Sequence, residues 1–352
     1  MHMADALLSP AIGGVMWAAT GAALVRSCSK VKNEIDDSKV PLMGVMGAFI
    51  FAAQMINFTI PGTGSSGHLG GGLILAIILG PHAAFLTIAS VLIIQALFFA
   101  DGGLLALGCN IFNLGIFPCF IAYPFIYQKI VGKNLSAGTL TAASVLAAIA
   151  GLQMGAFGVV LETVFSGISS LPFSSFVVMM QPIHLGIGIV EGLVTAGVAA
   201  FIWKARPEIL EAKGESRLIG DLPLKQVLAG LVAATVITGG VVAWFASEHP
   251  DGLEWSIMKV TGSEEVEGTE GGVHHTLAAV QESTAFLPDY GLPAGETEET
   301  APAAHEGAAA EESTWGQANI GTSISGLVGG LLTLLLAGAF GYLLKNKKEK
   351  FA

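Results

Sequence analysis

The chain has 352 residues, 53% of them hydrophobic and only 12% charged, with a formal net charge of −11. Soluble domains carry about 25% charged residues, so this composition excludes an ordinary water-soluble domain. The acidic balance itself says little about partners, because most of the acid lies in one segment, 247–318, where Lys259 is the only Lys or Arg; no nucleic-acid partner is expected.

Asp5 is the one ionised side chain in residues 1–25, and residues 40–100 hold none. A helix spanning about 30 Å of hydrocarbon needs roughly 20 apolar residues. Apolar runs at 10–25, 41–60, 69–80, 82–100, 103–131, 139–165, 174–203, 224–246 and 323–344 predict nine membrane helices. The third run is short and follows a glycine-rich stretch, as expected of a broken or re-entrant helix. Irregular backbone at membrane depth is tolerated only where protein buries it or it lines a cavity. The N-terminus does not read as a signal peptide, since its basic cluster, Arg26, Lys30 and Lys32, follows the first apolar run. Cys28, Cys109 and Cys119 show no CxxC spacing, and Cys109 and Cys119 read as buried thiols.

Basic residues orient membrane helices, with Lys and Arg on the cytoplasmic side. Arg26, Lys30, Lys32 and Lys39 follow run one, Lys129 and Lys133 run five, Lys204 to Lys225 run seven, and Lys345 to Lys350 run nine. Nine alternating spans place all of these in the cytoplasm if the N-terminus is outside and the C-terminus inside. The expected fold is an all-α polytopic membrane protein. It comprises a seven-helix unit over 1–206, a cytoplasmic linker over 207–223, and a part over 224–352 in which two helices flank an external acidic loop, 247–318. The loop is too polar around 262–314 to pack a core, and much of it reads as disordered. Small residues at helical spacing, Gly14, Ala18 and Ala22, and again Gly192, Ala196 and Ala200, suit either packing within the unit or docking on another membrane subunit.

The chain opens Met1-His2-Met3-Ala4-Asp5. Methionine is normally trimmed only before small residues, so Met1 is expected to stay. The terminal amine, the amide nitrogen of His2 and the Nδ1 of His2 then reach one ion through a five- and a six-membered ring. Such planar nitrogen ligation suits Ni(II) or Cu(II) more than Zn(II). His68, in the glycine-rich stretch Gly62 to Gly70 on the same outer side, is the natural fourth ligand. His2 also reads as an exposed terminal residue, and His68 as a loop histidine bonded to nearby hydroxyls.

Intramembrane polar residues are functional candidates. Gln95, Asn110, Asn113, His184 and Glu191 are candidates to line the pocket or to hydrogen-bond its ligands, and Asn57, Gln153, Glu162 and Gln181 are further polar groups in apolar helices. For each of these, helix–helix hydrogen bonding is the plain alternative. His82 follows Pro81 at an expected cytoplasmic turn and is excluded from the site. His274 and His275 in the acidic loop are candidates for capturing metal, against a reading of the loop as a solvated linker. No GxxxxGK[ST] phosphate loop and no HExxH motif occur, so neither ATP hydrolysis by that route nor zincin chemistry is expected.

Several motifs occur in order. They are Met1 to Asp5, Gly64 to Gly72 with His68, Asp101-Gly102-Gly103-Leu104-Leu105-Ala106-Leu107-Gly108-Cys109-Asn110, and His184 to Glu191. Together they resemble the CbiM/NikM substrate-specific components of cobalt and nickel energy-coupling-factor (ECF) transporters, over about 1–206. His249-Pro250-Asp251-Gly252-Leu253-Glu254-Trp255 resembles the Pro-Asp-Gly-Leu-Glu motif of the small CbiN/NikN-type subunit, which is implicated in metal loading. The resemblance implies an extracytoplasmic pocket with Met1, His2 and His68 as ligands, and nickel or cobalt as transported substrate with no permanent cofactor. It also implies a prokaryotic cytoplasmic membrane location, and two ABC ATPases and a transmembrane coupling protein as partners. The sequence does not choose between the two metals. The alternative is an ion-coupled transporter or channel working alone, with Glu162 and Glu191 carrying protons, but no inverted repeat supports it. An intramembrane metalloenzyme is a third class, and a filled planar chelate leaves it no open coordination position.

Overall fold

In hydrocarbon, backbone N–H and C=O groups have no water to bond, and a helix satisfies them internally. The computed structural model of the chain describes residues 2–34, 39–132, 135–205, 223–263, 266, 271–292, 316 and 318–345. Met1, most of the 207–223 linker and His305 lie outside the described residues. Seven apolar helices make up the N-terminal part: α1 (Pro10–Glu34), α2 (Lys39–Gln54), α3 (Gly72–Leu79), α4 (Pro81–Phe98), α5 (Leu107–Val131), α6 (Ala137–Ser166) and α7 (Phe173–Ala205). The C-terminal part adds two, α8 (Leu224–Gly240) and, after the external segment, a final helix Ile320–Leu344. Six of these nine are long and apolar enough to cross a membrane, α2 and α8 are shorter apolar helices, and α3 has 8 residues. The molecule is an all-α polytopic membrane protein.

Two local departures matter for the site. The second apolar run was expected to continue to residue 60, but α2 stops at Gln54. Phe58–Ile60 (β1) instead pairs antiparallel with Ser65–Gly67 (β2), with Thr59 opposite Ser66. Pro61 disfavours helical backbone at Ile60, and Phe-Thr-Ile favours an extended strand. Helix α5 has wider, π-type turns over Phe112–Tyr127, where Pro118 and Pro124 lack the N–H that a regular turn uses.

The external segment is also more ordered than its polarity suggested. It holds α9 (Gly252–Thr261) and α10 (Gly272–Thr284). Asp251 starts α9 by accepting the N–H groups of Leu253 and Glu254, while Glu254 accepts the N–H of Asp251. This capping box contributes about 1 kcal/mol. Helix α10 is tied down by its own polar side chains: Gln281 Nε2 donates to Ala96 O (2.9 Å) and Gly102 O (2.7 Å), and His274 Nε2 bonds Leu8 O at 2.8 Å. Within the loop read as largely disordered, hydrogen bonds to the N-terminal part replace the missing apolar core over 271–292, while 293–314 lies outside the described residues. The final helix, α11 (Ile320–Leu344), packs on α2 and α8, and a Cβ at Gly326 would stand 2.3 Å from Gly239 O.

The two small-residue stripes separate. A Cβ at Gly192 would stand 2.4 Å from Val145 Cα, so the Gly192 and Ala196 stripe brings α7 close to α6. Gly14, Ala18 and Ala22 on α1 are exposed. Gln153 and Gln181 bond across α6 and α7, each Nε2 donating to the other's backbone carbonyl.

Candidate metal centre

One end of the bundle gathers the chain's N-terminal segment, the β1–β2 hairpin, the loop after α4 and the external segment. The N-terminal segment is held by its backbone. Met3 N–H donates to Asn110 Oδ1 (2.8 Å), Asn110 Nδ2 donates to Met3 O (3.3 Å), and Gly103 N–H donates to the same carbonyl (2.9 Å). Asp5 Oδ1 accepts the N–H of Ala106. Glycine is needed beside it: at Gly103 a Cβ would overlap the Asp5 carboxylate, and at Gly102, with φ of +79°, it would stand 2.8 Å from Asn110 Nδ2 and 3.3 Å from His2 Cβ.

The His68 loop is held from two sides. Glu191, buried on α7, accepts Gly70 N–H (2.8 Å) and Gly71 N–H (3.1 Å), one at each carboxylate oxygen. Gln95 Nε2 donates to Gln54 Oε1, and Gln54 Nε2 donates to Gly70 O, both at 2.9 Å. On the other side, Ser66 N–H donates to Pro250 O (2.8 Å), Ser66 Oγ to His249 O (2.7 Å) and Trp255 Nε1 to Thr63 O (3.1 Å). The hairpin that carries His68 is thus braced by the C-terminal part.

The rings of His2 and His68 lie 4.9 Å apart and tilted by 36°. His2 Nδ1 is 2.6 Å from Asp101 Oδ1, and the buried His2 Nε2 has no hydrogen-bond partner. His68 Nδ1 faces Leu69 O at 3.0 Å, an arrangement that makes Nδ1 the donor and leaves Nε2 as the acceptor nitrogen. A cavity of about 910 Å³ opens on these groups, lined by His2, His68, Asp101, Asp251, His274 and His275 among others. Burial lowers the His68 imidazole to about 3, and the charge of His2 adds to the effect. Burial alone would raise the carboxyls of Asp101 and Asp251. The charge of His2, with bonds from His2 and Tyr290, outweighs it at Asp101, and neighbouring positive charge with the Glu254 N–H does so at Asp251. Both carboxyls are held below the usual range. A neutral His68 imidazole beside ionised carboxylates suits a cation.

The structure brings His2, His68, Asn110, Gln95 and Glu191 to this end of the bundle, but the supporting residues act on backbone. Asn110 holds Met3, Gln95 works through Gln54 on Gly70, and Glu191 holds Gly70 and Gly71. Asn113 is elsewhere, donating to Glu162 Oε2 at 2.8 Å. His184 donates Nδ1–H to Met180 O, and its buried Nε2, without a partner, belongs to a small cavity shared with His68 and Asp251. His184 and Glu191 therefore orient different groups rather than each other. His274 spends Nε2 on Leu8 O, and His275 is exposed on the cavity rim. His82 bonds Ser27 Oγ at the opposite end of α4, about 25 Å of helix away. The Nδ1 expected to chelate metal is the nitrogen that faces Asp101. Among the described residues no group of three or more His, Cys, Asp or Glu side chains is arranged to hold a metal.

Sequence reasoning missed Asp101, Asp251 and Tyr290. An Asp ending an uncharged apolar run on the histidine side, and the Asp251-x-x-Glu254 helix start, were the available signals.

Comparison with known proteins finds two families along the chain. The family described as the cobalt uptake substrate-specific transmembrane region, CbiM, matches residues 2–209, and the PDGLE domain matches 225–346. A protein of Archaeoglobus fulgidus named as a fused nickel transport protein NikMN is 33% identical over 83% of this chain and 89% of its own length. The cobalt transport protein CbiM of Sorangium cellulosum is 31% identical over 60% of this chain and 95% of its own. The crystal structure of a truncated transition metal transporter superposes with a TM-score of 0.51 at 32% identity, covering 57% of this chain and 98% of that one. With a family match over more than half its length, and a fused relative that it nearly spans, this chain belongs to the CbiM family, joined in one polypeptide to a PDGLE domain.

Proposed function

We propose that this chain is the metal-binding membrane subunit of a nickel or cobalt importer of the ECF type. The observation that carries the reading is the pairing of His2 and His68, rings 4.9 Å apart, in a pocket that also holds Asp101 and Asp251. Two imidazoles do not complete a site, and among the described residues no third His, Cys, Asp or Glu side chain joins them in a metal-holding group. Main-chain nitrogens supply the rest: the Met1 amine and the His2 amide, with an imidazole on either side. A planar nitrogen set of this kind suits Ni(II), and Co(II) accepts it as well. The metal is substrate, and no resident cofactor is involved.

The chain carries no reaction of its own. Two ABC ATPases and a transmembrane coupling protein supply the energy, and the exposed Gly14, Ala18 and Ala22 face of α1 suits close docking in the membrane. The protein sits in a prokaryotic cytoplasmic membrane with the N-terminus outside and the C-terminus inside, a topology supported by the Lys and Arg distribution. A stand-alone proton-coupled carrier would need Glu191 to titrate freely, whereas its two oxygens are committed to Gly70 and Gly71. Uptake of radioactive nickel and cobalt by cells producing the chain, with and without the ATPases and coupling protein, tests the reading. Accumulation only with the partners is expected; accumulation by the chain alone contradicts it.

A further inference from the structure

We propose that Tyr290 and Asp101 form a relay through which the C-terminal part positions the His2 imidazole, and so sets the metal affinity of a pocket built by the N-terminal part. The inference rests on the metal-binding role of His2 given above.

Both oxygens of one carboxylate are engaged by groups far apart in the chain. Asp101 Oδ1 is 2.6 Å from His2 Nδ1, and Asp101 Oδ2 accepts the Tyr290 hydroxyl at 2.5 Å. Each end is held by further contacts. Asp101 N–H donates to Gln95 O, and the segment around Tyr290 is stitched to the end of α4 by Leu287 N–H to Phe98 O (3.2 Å) and Asp289 N–H to Phe99 O (3.0 Å). The Tyr290 ring stacks on Phe99 at 5.0 Å and 19° and meets Phe51 edge-on at 6.1 Å. The hydroxyl is therefore aimed by packing, not by chance.

The backbone on both sides of this contact is in an unfavourable conformation. Among the described residues, the non-glycine positions with left-handed backbone are Ala100 (φ +57°), Asp289 (φ +50°) and Tyr290 (φ +59°). Left-handed backbone costs free energy for any residue with a Cβ, and such positions persist where surrounding structure over-determines them, commonly at functional sites. All three flank the Asp101–Tyr290 bond: Ala100 precedes Asp101, and the other two present the hydroxyl.

A carboxylate that takes the N–H of one imidazole nitrogen fixes the ring and raises the basicity of the other nitrogen toward a metal. As placed, the His2 ring gives Nδ1 to Asp101 and leaves Nε2 without a partner. Turned over about Cβ–Cγ, it presents Nε2–H on the Asp101 side and leaves Nδ1 for a chelate with its own amide. Cδ2 then stands where Nδ1 was, so the carboxylate shifts along the ring edge to take Nε2–H, and Tyr290 keeps Asp101 from rotating away. Loss of the hydroxyl should loosen the pocket without touching any metal ligand.

The test is nickel titration of the purified full-length chain in four forms: native, Tyr290→Phe, Asp101→Asn and the double variant. Removing an outer hydrogen-bond partner of a metal-binding histidine typically costs 10–100-fold in affinity, and that range is expected for Asp101→Asn. Tyr290→Phe keeps the stack on Phe99, removes one hydroxyl, and is expected to cost about fivefold. Because Tyr290 acts through Asp101, the double variant should bind no more weakly than Asp101→Asn alone, a pattern that independent structural losses would not give. Native affinity in Tyr290→Phe, or two losses that simply multiply, would overturn the relay while leaving the metal site standing. A native chain that binds no nickel would overturn both. Should Asp101→Asn fail to fold, Tyr290→Phe alone decides the matter.

Discussion

Asn110 grips Met3 at both of its backbone polar groups, accepting its N–H at 2.8 Å and donating to its carbonyl at 3.3 Å. The contact spans 107 residues and sets where the neighbouring His2 ends up. Asn110→Ala leaves the Met3 N–H buried without a partner, which costs about 1–3 kcal/mol. Nickel affinity should fall roughly tenfold to a hundredfold as that energy is drawn from the bound state. Titration of the variant checks this, and unchanged affinity would mean that the N-terminal segment is held by other contacts.

Glu191 is expected to matter through the loop, not through protons. Glu191→Ala orphans the Gly70 and Gly71 N–H groups together and should destabilise the protein by about 2–5 kcal/mol, with loss of metal binding. Glu191→Gln keeps one acceptor oxygen and should retain part of the affinity. A thermal-shift series in detergent with and without nickel separates the two. If Glu191→Gln abolished uptake while binding nickel like the native chain, a proton-carrying role would be favoured instead.

The depressed His68 imidazole gives a pH dependence of defined sign. Its value is lowered from 6.5 to about 3 in the folded protein. As pH falls through about 6.5 the unfolded chain takes up a proton at His68 and the folded protein does not until about 3. Stability therefore declines with acidification across that window. Asp101 and Asp251, held below the usual carboxylate range, add a further loss as their unfolded counterparts protonate from about pH 5 downward, and that loss is common to the native chain and His68→Gln. The unfolding midpoint of metal-free protein should fall less between pH 6.5 and 4.5 in His68→Gln than in the native chain. Parallel declines would show that His68 is protonated normally.

The helices were legible because each had a local cause: nine apolar runs, with Lys and Arg clusters after the first, fifth, seventh and ninth, all on one side. The hairpin at 58–67 was not, because Phe58-Thr59-Ile60 is apolar and joins the preceding run until Pro61 is weighed against it. His2 and His68 stood out because a histidine beside the N-terminus and one among glycines have few structural uses. Asp101, Asp251 and Tyr290 reach the pocket through the fold of the external segment, which has little apolar periodicity and is ordered by hydrogen bonds such as those of Gln281. No composition window reports a contact between residues 189 positions apart, such as Tyr290 and Asp101.

The central claim is that the chain's own first residues complete the metal site. Adding one alanine before Met1 keeps every side chain and moves the terminal amine out of the chelate. Nickel titration of that extended protein, beside the native chain and His2→Ala, is the decisive measurement. One tightly bound nickel is expected in the native chain and none in either altered form. Full nickel affinity in the extended protein would contradict it.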